Sequence, residues 1–148
     1  MVAHFPATLD SLGAIAAFTI DMASRAGLDG HATYGLRLAV DEVVTNIIQH
    51  GYAESGRIGM VDVSARFDAG SLTIEVEDTG EPYDLAMQRL PSAEELAAPL
   101  EQRRPGGLGL FLVLQNVDTF SHENLGPKNR TTLSVRIGPG DQRHGDSK

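Results

Sequence analysis

The sequence predicts an α+β domain, and three stretches carry that reading. Residues 36–52, LRLAVDEVVTNIIQHGY, place Leu36, Val40, Val43, Val44, Ile47 and Ile48 on one face of a helix at about 100° per residue. Val61, Val63, Ala65 and Phe67 alternate with Met60, Asp62, Ser64 and Arg66; across the tight turn Asp68-Ala69-Gly70, Leu72, Ile74 and Val76 alternate with Thr73, Glu75 and Glu77. That pair is an antiparallel hairpin, so a parallel Rossmann order is not expected. Thr131, Leu133, Val135 and Ile137 alternate with Thr132, Ser134 and Arg136 to give a last strand.

Composition bounds the function classes. The 148 residues suffice for one domain with its own core. A 41% hydrophobic share is ordinary for a soluble protein, and no run approaches the roughly 20 apolar residues of a membrane-spanning helix. MVAHFPATLD lacks the charged start and apolar run of a secretory signal. The absence of cysteine excludes disulfides, thiolate catalysis and Cys-ligated zinc, and suits a cytoplasmic protein. A net charge of −8 argues against non-specific nucleic-acid binding. A polyanion would have to be met locally, by backbone amides, a metal and a few basic residues.

In chain order, Val2 to Phe5 form a short strand before Pro6. Thr8 or Asp10 caps a first helix running to about Ala26, with Leu9, Leu12, Ile15, Thr19, Met22 and Ala26 as its buried stripe. Gly27 and Gly30 break it. Asp29 or Thr33 starts the second helix, which runs to Gly51. The hairpin follows, ended by Thr79-Gly80-Glu81-Pro82. Residues 81–106 are loop-like, with four prolines and a short helix near Ser92 to Ala97; a connection this long is usually functional or mobile. Gly106-Gly107-Leu108-Gly109-Leu110 opens an apolar helix to Val117. Asp118 to Asn124 form another strand ahead of the last one. Residues 1–138 thus make one domain, and 139–148 a disordered polar tail. His4 and His31 are read as surface residues without a role.

Three groups stand out chemically. Glu42, Asn46 and His50 recur every four residues on the polar side of the second helix, as a solvated face or as a working surface. Asp78 shares the parity of Leu72, Ile74 and Val76, so its carboxylate is aimed inward, which is expensive without a partner; it is otherwise a turn-starting residue. The glycines at 106, 107 and 109 let backbone N–H groups approach an anion at a helix's positive end.

In this order and spacing, Glu42-x3-Asn46-x3-His50, Asp78-x-Gly80 and Gly106-Gly107-Leu108-Gly109-Leu110 resemble the N, G1 and G2 boxes of the Bergerat-fold ATPases. AVDEVVTNIIQHGY, VEDTGEPYD and GGLGLFLVLQNVD look most like the anti-sigma-factor serine/threonine kinases of bacterial partner switching, over about residues 5–137. Pro82, where many group members carry a second glycine, favours that branch over the histidine kinases. The resemblance implies a two-layer α/β sandwich, helices on one face of a mixed, mostly antiparallel sheet, with ATP between helices and lid. It makes residues 1–138 a single histidine-kinase-like ATPase domain.

The resemblance also implies roles. Asp78 accepts a hydrogen bond from the adenine amino group, and Gly80 lets the adenine approach the backbone. Thr131 faces the same pocket. Asn46 is a Mg²⁺ ligand, since a hard cation accepts an amide oxygen. Gly106, Gly107, Leu108, Gly109 and Leu110 bring amides onto the phosphates. Glu42 is the general base that takes the proton of a substrate serine. Arg103 and Arg104 reach the γ-phosphate or stay as solvated lid charges, and His50 is a helix-end histidine near the C-terminal dipole. The substrate would be a STAS-type anti-anti-sigma factor, and a sigma factor would be sequestered by a protein that is often a homodimer in this group. The group often carries a basic residue in the middle of the first helix to grip the sigma factor; Leu12-Gly13-Ala14-Ile15-Ala16-Ala17-Phe18 has none. Two alternatives stay open: a nucleotide-dependent protein switch without transfer activity, and the ATP-binding part of a split histidine kinase.

Overall fold

The computed structural model describes residues 1–87, 90, 92–97 and 109–138. Strand β1 (Val2–Pro6) leads through a 3₁₀ turn (Leu9–Ser11) into helix α1 (Leu12–Ala26) and then α2 (Gly30–Asn46), which continues as a π-helical segment, Ile47–Ala53. Strands β2 (Met60–Asp68) and β3 (Ser71–Asp78) follow. A 3₁₀ turn (Leu85–Met87) and a short α3 (Ala93–Ala97) precede α4 (Gly109–Asn116), β4 (Thr119–Asn124) and β5 (Asn129–Arg136). The sheet order is β1-β2-β3-β5-β4, with every pairing antiparallel.

The α+β two-layer class follows from the residues. Val61, Val63, Leu72, Ile74, Val76, Leu133 and Val135 are all fully buried. They pack under Ile15 and Met22 of α1, Leu36, Val40, Val43 and Val44 of α2, and Val113 of α4. The opposite face carries a polar cross-strand ladder: His4 bonds Asp62, and Glu77 pairs with Arg130 and Lys128. One apolar face and one charged face explain why helices cover only one side.

Four expectations are corrected. Neither Thr8 nor Asp10 caps α1, because the 3₁₀ turn intervenes; Ser11 precedes the helix, and its Oγ donates to Pro6 O at 2.6 Å. The tighter turn puts Leu9 off the helical phase, and it is 49% exposed. Phe67, at the hairpin's far end, is 45% exposed rather than inward. Gly27 ends α1 in the left-handed region (φ 84°), whereas Gly30 opens α2 behind Asp29, whose Oδ1 accepts from Ala32 N at 2.8 Å. Arg103, Arg104, Gly106, Gly107, Leu108 and the tail from residue 139 lie outside the described residues.

Candidate nucleotide site

The inner face of the sheet changes character at one corner. Its register stacks Ala65, Ile74, Leu133 and Phe120 in one apolar row. The next row runs Val63, Val76, Thr131, His122, and the last Val61, Asp78, Asn129, Asn124. Strands β3, β5 and β4 thus end in a polar cluster where the core would otherwise continue.

Asp78 is 4% exposed and Asn129 2%. Asp78 Oδ1 accepts from Gly80 N at 2.9 Å and from Asn129 Nδ2 at 3.0 Å. Asn129 Nδ2 donates also to Gly80 O at 3.0 Å, and its Oδ1 accepts from Asn124 Nδ2 at 3.3 Å. Both bonds to Asp78 fall on Oδ1; Oδ2 has no partner among the described residues. Burial pushes the Asp78 carboxyl above its ordinary range, opposed by the bonds from Asn129 and Gly80 and by the nearby His122. Thr131, 3% exposed, meets His122 Nδ1 through its Oγ1 at 3.2 Å.

The end of α2 docks on this corner backbone to backbone. Gly51 O accepts from Glu81 N at 2.8 Å, and a Cβ on Gly80 would lie 2.7 Å from Gly51 O. The contact therefore demands glycine at position 80 for packing within the protein itself. Tyr52 fixes the same turn: its hydroxyl accepts from Thr79 N at 2.8 Å and donates to Met60 O at 2.9 Å. Arg57 donates to Thr79 O at 3.2 Å and to Glu81 Oε1 at 2.9 Å.

Upstream on α2, Asn46 Nδ2 donates to Glu42 O at 2.7 Å. A carbonyl accepts only from the NH₂ end of the amide, so Asn46 Oδ1 is the end turned away from that carbonyl. Glu42 is half-buried, and its carboxylate has no hydrogen-bond or ion-pair partner among the described residues. Burial, and then the charge of Asp41, raise its carboxyl above the ordinary range. The expected row of three stops at Asn46. The chain widens into i→i+5 bonding from Ile47, and His50 instead stacks on Tyr83 at 4.2 Å between ring centroids and bonds Glu54 Oε1 at 2.8 Å. Gly109 and Leu110 are buried at the start of α4, which packs on α2 so closely that a Cβ on Gly35 would lie 2.5 Å from Asn116 Oδ1.

The matching of known proteins turns this arrangement into a family. The family model for the histidine kinase-like ATPase domain covers residues 5–137. The chain belongs to that family. Its curated relatives include the serine-protein kinase RsbW of Listeria innocua, 34% identical over 93 residues, covering 62% of this chain and 59% of the relative. RsbW of Halalkalibacterium halodurans is 28% identical over 109 residues, covering 73% and 65%. The chain thus spans about three fifths to two thirds of the length of these relatives. Among solved structures, the RsbU and RsbW domains of a Mycobacterium tuberculosis protein match with TM-score 0.62 at 19% identity, over 93% of this chain and 32% of that one. The SiaB–SiaC complex of Pseudomonas aeruginosa matches with TM-score 0.58 at 19% identity, over 93% and 89%. At that identity both likenesses speak to the fold.

Within this fold, Asp78, Gly80 and Thr131 meet at one corner with Asn129 and His122, which the sequence reading passed over. Alternation carried back two residues from Thr131 reaches Asn129, and the parity of β4 aims His122 inward. Tyr52 and Tyr83 had no such signal, since a turn of irregular winding and a loop decide what they touch. The remaining expected contacts, Gly106, Gly107, Leu108 and Arg104, lie outside the described residues. Among the described residues no helix is long and apolar enough to cross a membrane.

Proposed function

We propose that this chain is an ATP-dependent protein-serine kinase that phosphorylates a serine of a STAS-type anti-anti-sigma factor and sequesters a sigma factor in the cytoplasm, as a homodimer. The observation that carries the reading is Glu42: a half-buried carboxylate with no partner among the described residues and a raised pKa, one helical turn before Asn46. A module that only binds nucleotide has no use for such a group. The similarity to serine-protein kinases supports the same choice.

The residues present fit the group that the family implies. Asp78 Oδ2 accepts from the exocyclic amino group of adenine, and Gly80 and Thr131 line that end of the site. Asn46 Oδ1, turned away from Glu42 O by the bond of its own NH₂ to that carbonyl, would hold Mg²⁺. When bound, the ion supplies charge neutralisation at the phosphates. Gly106, Gly107, Leu108, Gly109, Leu110 and Arg104 would line the phosphate end. Glu42 takes the proton of the substrate serine as its Oγ bonds to the γ-phosphorus. The bond from that phosphorus to the β–γ bridging oxygen breaks, and ADP leaves. A base in this reaction mainly positions and relieves the hydroxyl. The direct test is transfer of label from [γ-³²P]ATP to the serine of a STAS-domain protein encoded nearby. ATP binding without transfer to any such protein would favour a nucleotide switch.

A further inference from the structure

Asn129 lies one strand away from the acid that the proposed ATP site depends on, and both of its amide hydrogens are used there. One amide hydrogen goes to Asp78 Oδ1 and the other to Gly80 O, each at 3.0 Å. Its oxygen accepts from Asn124. Neither a carboxylate oxygen nor a carbonyl can donate, so the amide has one orientation only. Gly80 N closes the loop on the same Asp78 oxygen. Asp78, Gly80 and Asn129 therefore form a ring of three hydrogen bonds in which Asp78 Oδ1 is saturated and the carboxylate cannot rotate without breaking two bonds.

We propose that Asn129 is the positioning residue for base recognition: by holding Asp78 Oδ1, it commits Oδ2 to be the single acceptor facing the base, and so selects a purine with an exocyclic amino group (adenine) over one with a carbonyl at that position (guanine). The inference rests on the ATP reading of Asp78. A fixed acceptor repels the guanine carbonyl oxygen, whereas a carboxyl free to turn or to protonate can present a hydrogen to it. The donors also favour the ionised carboxyl against its burial, so they sustain the acceptor that the base needs. His122 and Thr131, in the next row, do not touch Asp78 or Gly80 by hydrogen bond, so Asn129 alone among the side chains of β5 and β4 binds the acid.

The test is titration calorimetry of ATP and GTP on the full chain, for wild type, Asn129→Ala, Asn129→Asp, Asp78→Asn and the Asp78→Asn/Asn129→Ala double variant. Asn129→Ala should weaken ATP about tenfold or more, leave GTP within about threefold, and so shrink the ATP preference. Because Asn129 acts through Asp78, its removal in the Asp78→Asn background should change ATP affinity less than about threefold. Asn129→Asp keeps the shape while replacing both donors with acceptors, so it covers the case in which the alanine variant fails to fold. It should lose ATP affinity and shrink the ATP preference as the alanine variant does. Additive losses in the double variant, or equal losses for ATP and GTP, would show a merely structural role and overturn the proposal. If Asp78→Asn weakens ATP while Asn129→Ala and Asn129→Asp leave affinity and preference unchanged, the proposal fails and the ATP reading stands. If Asp78→Asn binds ATP as wild type does, both fail together.

Discussion

Asp78 carries a charge that its surroundings oppose. Its folded carboxyl holds its proton to higher pH than the unfolded chain does. The stability tied to it is complete below the ordinary carboxylate range and declines as pH rises through the raised value. At neutral pH, where the carboxyl of the unfolded chain is ionised, the group is a net destabilisation that Asp78→Asn removes, while an Asn oxygen still accepts from Gly80 N and Asn129. The variant should therefore melt at or above the wild-type temperature at pH 7, and the difference should close below about pH 4, where Asp78 is protonated in both states. Its ATP affinity should fall about 10- to 150-fold, the range of one hydrogen bond to a charged acceptor. A clear drop in melting temperature at pH 7 would instead make Asp78 a structural acid. Glu42 follows the same sign toward activity. A base works ionised, so the acid limb of the rate profile should lie above the ordinary glutamate range. Asp41→Asn removes the smaller of the two causes and should move that limb partway to lower pH. An unmoved limb would place the titrating group elsewhere.

At the scale of elements, the junction between the end of α2 and the turn after β3 is the feature periodicity did not reach. Helical spacing gave α2 and its Glu42–Asn46 pair, because that stretch has regular α-helical bonding. It failed at His50, because the π-helical segment from Ile47 changes the phase, and no residue in IIQHGYA announces such a widening. The parity of β3 gave the burial of Asp78, since strand alternation survives to the last residue. Gly80 was read as room for a base, and the structure adds a constraint from Gly51. Gly80→Ala should lower stability by about 1–3 kcal/mol, because the new Cβ meets backbone that cannot step aside. Gly51→Ala should cost less, since its Cβ would find Glu81 O at 3.2 Å. Urea denaturation should rank them in that order, and the reverse order would mean that the turn after β3 is more compliant than the π-helical segment.

For the whole molecule, the layer arrangement was legible because each strand sorts its residues cleanly into an apolar and a polar face. Less legible was the corner where that sorting breaks down, with Asp78, Asn129, Thr131 and His122 on the apolar side. Strand parity reaches such residues only where it is followed to the strand's end, as it was for Asp78 and Thr131; it was not carried back to Asn129 or applied to His122. The central claim is that this corner and α2 together serve phosphoryl transfer to a protein serine. It is tested most directly by comparing wild type and Glu42→Ala for label transfer from [γ-³²P]ATP to the STAS partner, with ATP affinity measured on the same samples. The account predicts that Glu42→Ala binds ATP at least as tightly as wild type and loses transfer by about 10²-fold or more. Transfer by Glu42→Ala at the wild-type rate would contradict it.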